Sequence, residues 1–101
     1  MSRCILAPSA RLDLKEISSY ITRFNPGAAQ RLNKKIKQQC KLLADFPNMG
    51  QSCDNFGNGL RSLPVEDYLI FYRPLDGGVE VARIVSGYRD LDTVFLSEDI
   101  P

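Results

Sequence analysis

The stretch from residue 60 to residue 85 decides the fold and reads LRSLPVEDYLIFYRPLDGGVEVARIV. Its apolar and polar residues tend to alternate, and it is rich in β-branched and aromatic residues, which is typical of β-strands. The Asp76-Gly77-Gly78 triplet predicts a hairpin turn before the last strand. Short consecutive strands with tight turns favour an antiparallel meander. The three strands are predicted over 60–65, 68–73 and 79–85.

Before this stretch the apolar residues recur every three or four positions, which predicts two amphipathic helices. The two stripes are Ala10, Leu14, Ile17, Ile21 and Phe24, then Ala29, Leu32, Ile36, Cys40 and Leu43. Pro8-Ser9 predicts the start of the first helix, with Ser9 able to cap it, and Asn25-Pro26 predicts the start of the second. Residues from about 9 to 45 are therefore expected to form an antiparallel helical hairpin.

The flanking segments complete the predicted order β-α-α-β-β-β. The short apolar run Arg3–Leu6 has the composition of a strand, and residues 47–59 have that of a loop. We expect an α+β fold over residues 1–101 as one domain, in which a small antiparallel twisted sheet packs on the αα-hairpin. The acidic tail after Ser86 is less regular, and Val94, Phe95 and Leu96 are expected to dock on the rest.

The net charge of +1 conceals a strong asymmetry along the chain. Residues 1–50 hold nine cations and three anions, a net +6, whereas residues 51–101 hold four cations and nine anions, a net −5. All the lysines lie in the first half. The basic half is either a surface that attracts nucleic acid or an acidic partner, or an ordinary solvated helix face.

Composition excludes several classes of site. The chain has no His, so it has no Ser-His-Asp or Cys-His pair and no His-ligated metal. Its three cysteines form no CxxC motif, and Cys4 and Cys40 lie in apolar periodic segments, so we expect neither a disulfide framework nor a metal or cofactor. Apolar runs are too short for a signal peptide or a membrane span, which makes a reducing cytoplasm the expected location.

Nearly the whole chain resembles the ParE/RelE toxin superfamily of type II toxin–antitoxin systems, and its ParE branch in particular. The resemblance is carried by short motifs in matching order. They are Leu6-Ala7-Pro8-Ser9-Ala10 with Asp13-Leu14 and Ile17, Asn25-Pro26 with Ala28-Ala29, Leu43 with Phe46-Pro47-Asn48-Met49-Gly50, Gly59-Leu60-Arg61-Ser62-Leu63, Tyr68-Leu69-Ile70-Phe71-Tyr72-Arg73, and Arg83-Ile84-Val85 before Gly87-Tyr88-Arg89-Asp90. The predicted element order is similar to that family's fold.

The resemblance implies a toxin neutralised by a cognate antitoxin in a hetero-oligomer, with no sequence-specific nucleic-acid binding by the toxin alone. RelE-like members cut mRNA on the ribosome with Lys, Arg and Tyr side chains, whereas ParE-like members bind and poison DNA gyrase. Here Leu69, Leu91 and Phe95 stand where the nuclease branch has Arg, Arg and Tyr, and residues 51–101 contain no Lys. We therefore expect a gyrase inhibitor without catalytic residues. The alternatives are a ribosome-dependent endoribonuclease and a nontoxic interaction module.

Two sets of residues are candidates for binding. Those for the target are Arg61, Arg73, Arg83, Tyr88 and Arg89. For Arg83 an internal pair with an acid such as Asp90 or Glu66 is the favoured alternative, and Tyr88-Arg89-Asp90 is either a contact patch or a capped turn. Leu12, Tyr20 and Leu42 lie off the apolar stripes, and we expect them, with apolar parts of the sheet edge, to form the groove for the antitoxin.

Overall fold

Seven elements follow one another along residues 3–87, the part of the chain that the computed structural model describes. They are β1 (Arg3–Leu6), α1 (Pro8–Thr22), α2 (Pro26–Asp45), β2 (Gln51–Ser52), β3 (Arg61–Val65), β4 (Tyr68–Leu75) and β5 (Gly78–Ser86). The α+β class and the helical hairpin are confirmed. The predicted docking of Val94, Phe95 and Leu96 falls outside the described residues.

The five strands form one sheet in the order β1-β5-β4-β3-β2. The predicted meander is confirmed, because β3, β4 and β5 pair antiparallel. The sheet as a whole is mixed rather than antiparallel, since β1 pairs with β5 in parallel, with Cys4 opposite Val79 and Leu6 opposite Val81. After β1 the chain forms α1 and α2 and joins the opposite edge of the sheet as β2. It then continues through β3 and β4 to β5, which lies beside β1 and runs in the same direction.

The predicted loop 47–59 contains a strand of two residues. Gln51 pairs with Ser62 and Ser52 pairs with Arg61, so β2 extends the far edge of the sheet. Two residues are too few to carry a period-two pattern, which is why the composition of this segment indicates only a loop.

The two helix starts differ in how well the sequence predicts them. Asn25 caps α2 as predicted, because its side chain accepts a hydrogen bond of 3.1 Å from the backbone N–H of Ala28. In α1, Pro8 already occupies the first turn, and Ala7 is the N-cap, with no side-chain hydrogen bond. Ser9 is therefore inside the helix and does not cap it.

Phe24 does not belong to the apolar stripe of α1. The helix ends at Thr22, and the Phe24 side chain is 74% exposed. Its ring contacts Tyr20 edge-on, with 5.3 Å between the ring centroids. Phe24 therefore lies beyond the end of the helix and in solvent, not in the core.

The main core lies between the helical hairpin and one face of the sheet. Its buried members are Ala10, Leu32, Ile36, Cys40, Leu43, Val65, Ile70, Tyr72, Val79, Val81 and Ile84. A second, smaller cluster on the sheet contains Leu60, Phe71 and Val85, against which Phe56 of the loop packs. Both faces of the central strand β4 are thus used for packing.

A β-bulge in β5 breaks the alternation that the sequence predicts. Phe71 pairs with Arg83 while the next residue, Tyr72, pairs with Val81, so Ala82 is the extra residue. Beyond the bulge Ile84, not Val85, joins the main core. Strict alternation along 79–85 predicts that Val85 shares a face with Val79 and Val81. That prediction is wrong, because one inserted residue exchanges the two faces.

Candidate functional site

Arg83 is held by an ion pair with Asp13 of α1. Its Nε donates to Asp13 Oδ2 at 2.7 Å and its Nη2 to Oδ1 at 3.1 Å, and the two side chains are only 15% and 12% exposed. Asp13 Oδ2 also accepts from the backbone N–H of Ile84 at 2.9 Å. The pairing of β1 with β5 ends at Val81. Beyond that point the Asp13 carboxylate accepts the hydrogen bond from the β5 backbone at Ile84.

The sequence favoured an internal ion pair for Arg83, and in the structure the partner is Asp13. Glu66, one of the acids considered, pairs with Lys35 of α2. Asp90, the other, lies outside the described residues, as do the target candidates Tyr88 and Arg89. Arg83 therefore joins α1 to the sheet, whatever else it contacts.

Arg61 and Tyr72 hold the segment 47–50 against the sheet. Arg61 donates from Nε to the Gly50 carbonyl at 2.9 Å and from Nη2 to the Asn48 carbonyl at 3.0 Å. The fully buried Tyr72 hydroxyl accepts from Gly50 N–H and donates to the Pro47 carbonyl, both at 2.8 Å. Together they satisfy backbone groups that a loop cannot pair by itself.

We expect Tyr72→Phe to lower the free energy of unfolding by about 2 kcal/mol, because it leaves one backbone donor and one acceptor near the core without their partner. Urea denaturation measures the loss. Tyr20→Phe is the matched control, since its side chain is 61% exposed, and it should change the stability by less than about 0.5 kcal/mol. Equal effects of the two variants would contradict this role of the Tyr72 hydroxyl.

Arg73 holds the next turn of the same loop. Its Nε donates to the Asn58 carbonyl at 3.4 Å, and its guanidinium lies against Gly57. Arg61, Arg73 and Arg83 are thus bound to three separate places, the segment 47–50, the segment 57–58 and helix α1. The strand register places their backbones near one another, but their guanidinium groups bind different partners.

Tyr68 is the remaining described tyrosine near this part of the sheet. Burial raises the pKa of its hydroxyl, and the neighbouring Asp67 carboxylate raises it further. A tyrosine hydroxyl is protonated at neutral pH at its ordinary pKa, and the upward shift keeps it so. As a neutral phenol it donates a hydrogen bond but does not serve as a general base.

The three antitoxin candidates are exposed, in two places. Leu12 and Tyr20 are 56% and 61% exposed and line one shallow depression on α1. With Phe24, which contacts Tyr20, they form what we call the α1 outer patch. Leu42 lies near the end of α2, followed by the exposed Phe46 and Met49. Both sets are apolar surface without a covering element among residues 3–87.

The sequence reasoning missed a groove that lies between β1 and the second half of α2. This edge groove has a volume of about 570 Å³. Apolar and thiol side chains line it, and charged groups surround them; its lining residues are Arg3, Cys4, Leu6, Leu14, Ile36, Lys37, Cys40, Lys41, Ala44 and Asp45. Three of its four charged groups are cations. The signal in the sequence is the lysine spacing around Cys40, but nothing there places β1 beside it.

Two kinds of site are not seen in the described part of the chain. Residues 3–87 hold no group of three or more His, Cys, Asp or Glu side chains placed to bind a metal ion. Neither described helix is long and apolar enough to cross a membrane.

Comparison with known proteins agrees with the fold. Residues 4–91 match the model of the family described as ParE toxin of type II toxin–antitoxin system, parDE. The protein named Toxin RelE2 of Caulobacter vibrioides is 33% identical over 84 residues, which cover 83% of this chain and 93% of the relative. A chain of the chromosomal ParDE system from P. aeruginosa superposes with a TM-score of 0.71 at 22% identity, covering 85% of this chain and 96% of its own length.

Proposed function

The chain belongs to the ParE toxin family of type II toxin–antitoxin systems, and on that basis we propose that it inhibits DNA gyrase by binding rather than through a chemical step of its own. As a toxin of this kind it has a cognate antitoxin as its partner. The observation that carries the proposal is that Arg61, Arg73 and Arg83 are each hydrogen-bonded to a different part of the fold.

Cleavage of RNA needs cations near the scissile phosphate and a group that accepts the proton of the attacking hydroxyl. Arg61 and Arg73 instead donate to carbonyls of two different loop segments, and Arg83 pairs with Asp13. Tyr68 is a neutral phenol at neutral pH, as a tyrosine of ordinary pKa is, and its environment raises its pKa further. Because these side chains are held by other parts of the fold, we favour a toxin that acts through a recognition surface.

The second candidate function is a RelE-like, ribosome-dependent endoribonuclease. The relative named Toxin RelE2 favours it, because that protein is 33% identical to this chain. Against it stand Leu69, Leu91 and Phe95, which replace two Arg and one Tyr of the nuclease branch with apolar side chains. The apolar replacements remove both the cations and the phenol that such chemistry requires.

We place the antitoxin in the edge groove and on the α1 outer patch. β1 is the edge strand of the sheet, so its outer backbone groups are not paired within the sheet and can receive an extended segment. The cations Arg3, Lys37 and Lys41 around the apolar floor suit a segment that alternates apolar and acidic residues. Exposed leucine and aromatic side chains of the patch provide further apolar contact.

We expect the double variant Leu12→Asp, Tyr20→Asp to weaken antitoxin binding at least ~10-fold, because two carboxylates replace apolar contacts at the interface. Isothermal titration of the purified toxin with its antitoxin measures the affinity. Leu75→Asp is the control, since Leu75 is equally apolar and 45% exposed but lies at the β4–β5 hairpin. If both proteins bind the antitoxin equally well, the α1 outer patch is not part of the interface.

The target is tested in cells by induction of the toxin without its antitoxin. Because a poisoned gyrase leaves broken DNA, we expect the DNA-damage response to rise before protein synthesis falls. A reporter for that response and pulse labelling of new protein are followed in the same culture. An immediate stop in labelling, without the damage response, would support the endoribonuclease instead.

A further inference from the structure

Two cysteines from distant parts of the sequence meet on the floor of the edge groove. Cys4 lies on β1 and packs against the main core, while Cys40 lies on α2 and is buried in that core. Both side chains line the same cavity, and each thiol shifts the pKa of the other. Neither residue has a part in the proposed binding of gyrase.

We propose that Cys4 and Cys40 are a reversible redox pair, in which hydrogen peroxide closes a disulfide between β1 and α2. An S–S bond is about 2 Å long, and the two side chains already line one cavity, with Cys4 packed against the core cluster that contains Cys40. The pair lies in a groove that opens to solvent, and Cys4 is half-buried rather than enclosed. Peroxide therefore has a path to its sulfur.

The surroundings give the two thiols different roles. The neighbouring Cys40 thiol lowers the pKa of Cys4, whereas Cys4 and burial both raise the pKa of Cys40. Of the charged groups that line the groove, Arg3, Lys37 and Lys41 are cations and Asp45 is the acid. Cations stabilise a thiolate, so Cys4 is the attacking sulfur and Cys40 is the resolving thiol.

The reaction has two steps. The Cys4 thiolate attacks one oxygen of hydrogen peroxide, the O–O bond breaks, and Cys4 sulfenic acid forms while the leaving hydroxide takes up a proton to become water. The Cys40 sulfur then attacks the Cys4 sulfur, the S–O bond breaks, and the Cys40 proton leaves with that oxygen as a second water. The two thiols lose two electrons, and one peroxide is reduced to two waters. An external dithiol reverses the oxidation by thiol–disulfide exchange.

The test treats the purified full-length toxin with hydrogen peroxide and analyses it without reduction. We expect a monomer that has lost two hydrogen atoms, and a tryptic cross-link between residues 4–11 and 38–41, both reversed by dithiothreitol. The bond should also raise Tm by about 5–15 °C, since it closes a long loop of the chain.

Variants separate this bond from other oxidation. Cys53→Ser should keep the cross-link, because the Cys53 thiol contacts Ser62 of β3, towards the edge of the sheet opposite β1. Both Cys4→Ser and Cys40→Ala should abolish it. If Cys40→Ala fails to fold, Cys4→Ser and the peptide map of the unmodified sequence still decide. A cross-link through Cys53, a disulfide between two molecules, or sulfinic acid at Cys4 without a cross-link overturns the proposal.

Discussion

Asp13→Ala should lower the free energy of unfolding by about 3–4 kcal/mol. The substitution removes the carboxylate that pairs with the largely buried Arg83 guanidinium and also accepts from the N–H of Ile84. The Arg83 charge is then left in a poorly solvated place without its partner. The N–H of Ile84, on the part of the β5 edge that β1 does not cover, also loses its acceptor. For a domain of this size the loss corresponds to a fall in Tm of more than about 10 °C, which differential scanning calorimetry measures.

The matched controls replace each acid by its amide. Asp13→Asn keeps the shape and one acceptor but loses the charge, and we expect it to cost about 2 kcal/mol. Glu66→Gln does the same to the pair with Lys35, whose side chains are 53% and 48% exposed, so it should cost less than about 1 kcal/mol. Equal losses for the two amides would show that burial does not distinguish the pairs, contrary to the role given to Asp13.

Gly78→Ala should destabilise the protein by about 3 kcal/mol or more and detach β1 from the sheet. A Cβ atom at this position falls 1.8 Å from the Arg3 carbonyl oxygen, so the two backbones cannot keep their register. Since β1 forms one wall of the edge groove, the same variant should also bind the antitoxin poorly. Urea denaturation and hydrogen exchange of the β1 amides measure the two effects.

Gly59→Ala separates this steric effect from the general cost of replacing glycine. Gly59 also has a positive φ, 77°, but a Cβ atom there meets nothing within 4 Å. We expect a cost of about 1 kcal/mol, with the β1 amides as well protected as before. If Gly78→Ala behaves like Gly59→Ala, the close approach of β1 to Gly78 is not what fixes the edge of the sheet.

Local signals predicted the elements of the fold because they are written in neighbouring residues. The Asn25-Pro26 start of α2 and the strands of the 60–85 stretch are of this kind, and both are confirmed. The pairing of β1 with β5 has no such local signal, since it depends on the path of the whole chain. The extra residue Ala82 fits the alternating pattern of the sequence, so no local signal indicated that the two faces exchange beyond it.

The site was less predictable for the same reason. That Arg83 has an acid partner follows from its apolar neighbours, but Asp13 is seventy positions away and belongs to another element. Arg61 and Arg73 were predicted only as target candidates, because their partners in the fold are backbone carbonyls, which carry no sequence signature. The meeting of Cys4 and Cys40 in one groove likewise depends on the position of β1 at the edge of the sheet, beside α2.

The most direct measurement adds the purified toxin to DNA gyrase with supercoiled plasmid and, separately, to ribosomes translating a defined mRNA. Inhibition of gyrase by binding predicts that cleaved plasmid accumulates on gyrase, that added antitoxin prevents this, and that the mRNA stays intact. Cuts in the mRNA at codon spacing, with gyrase turning over normally, would contradict it.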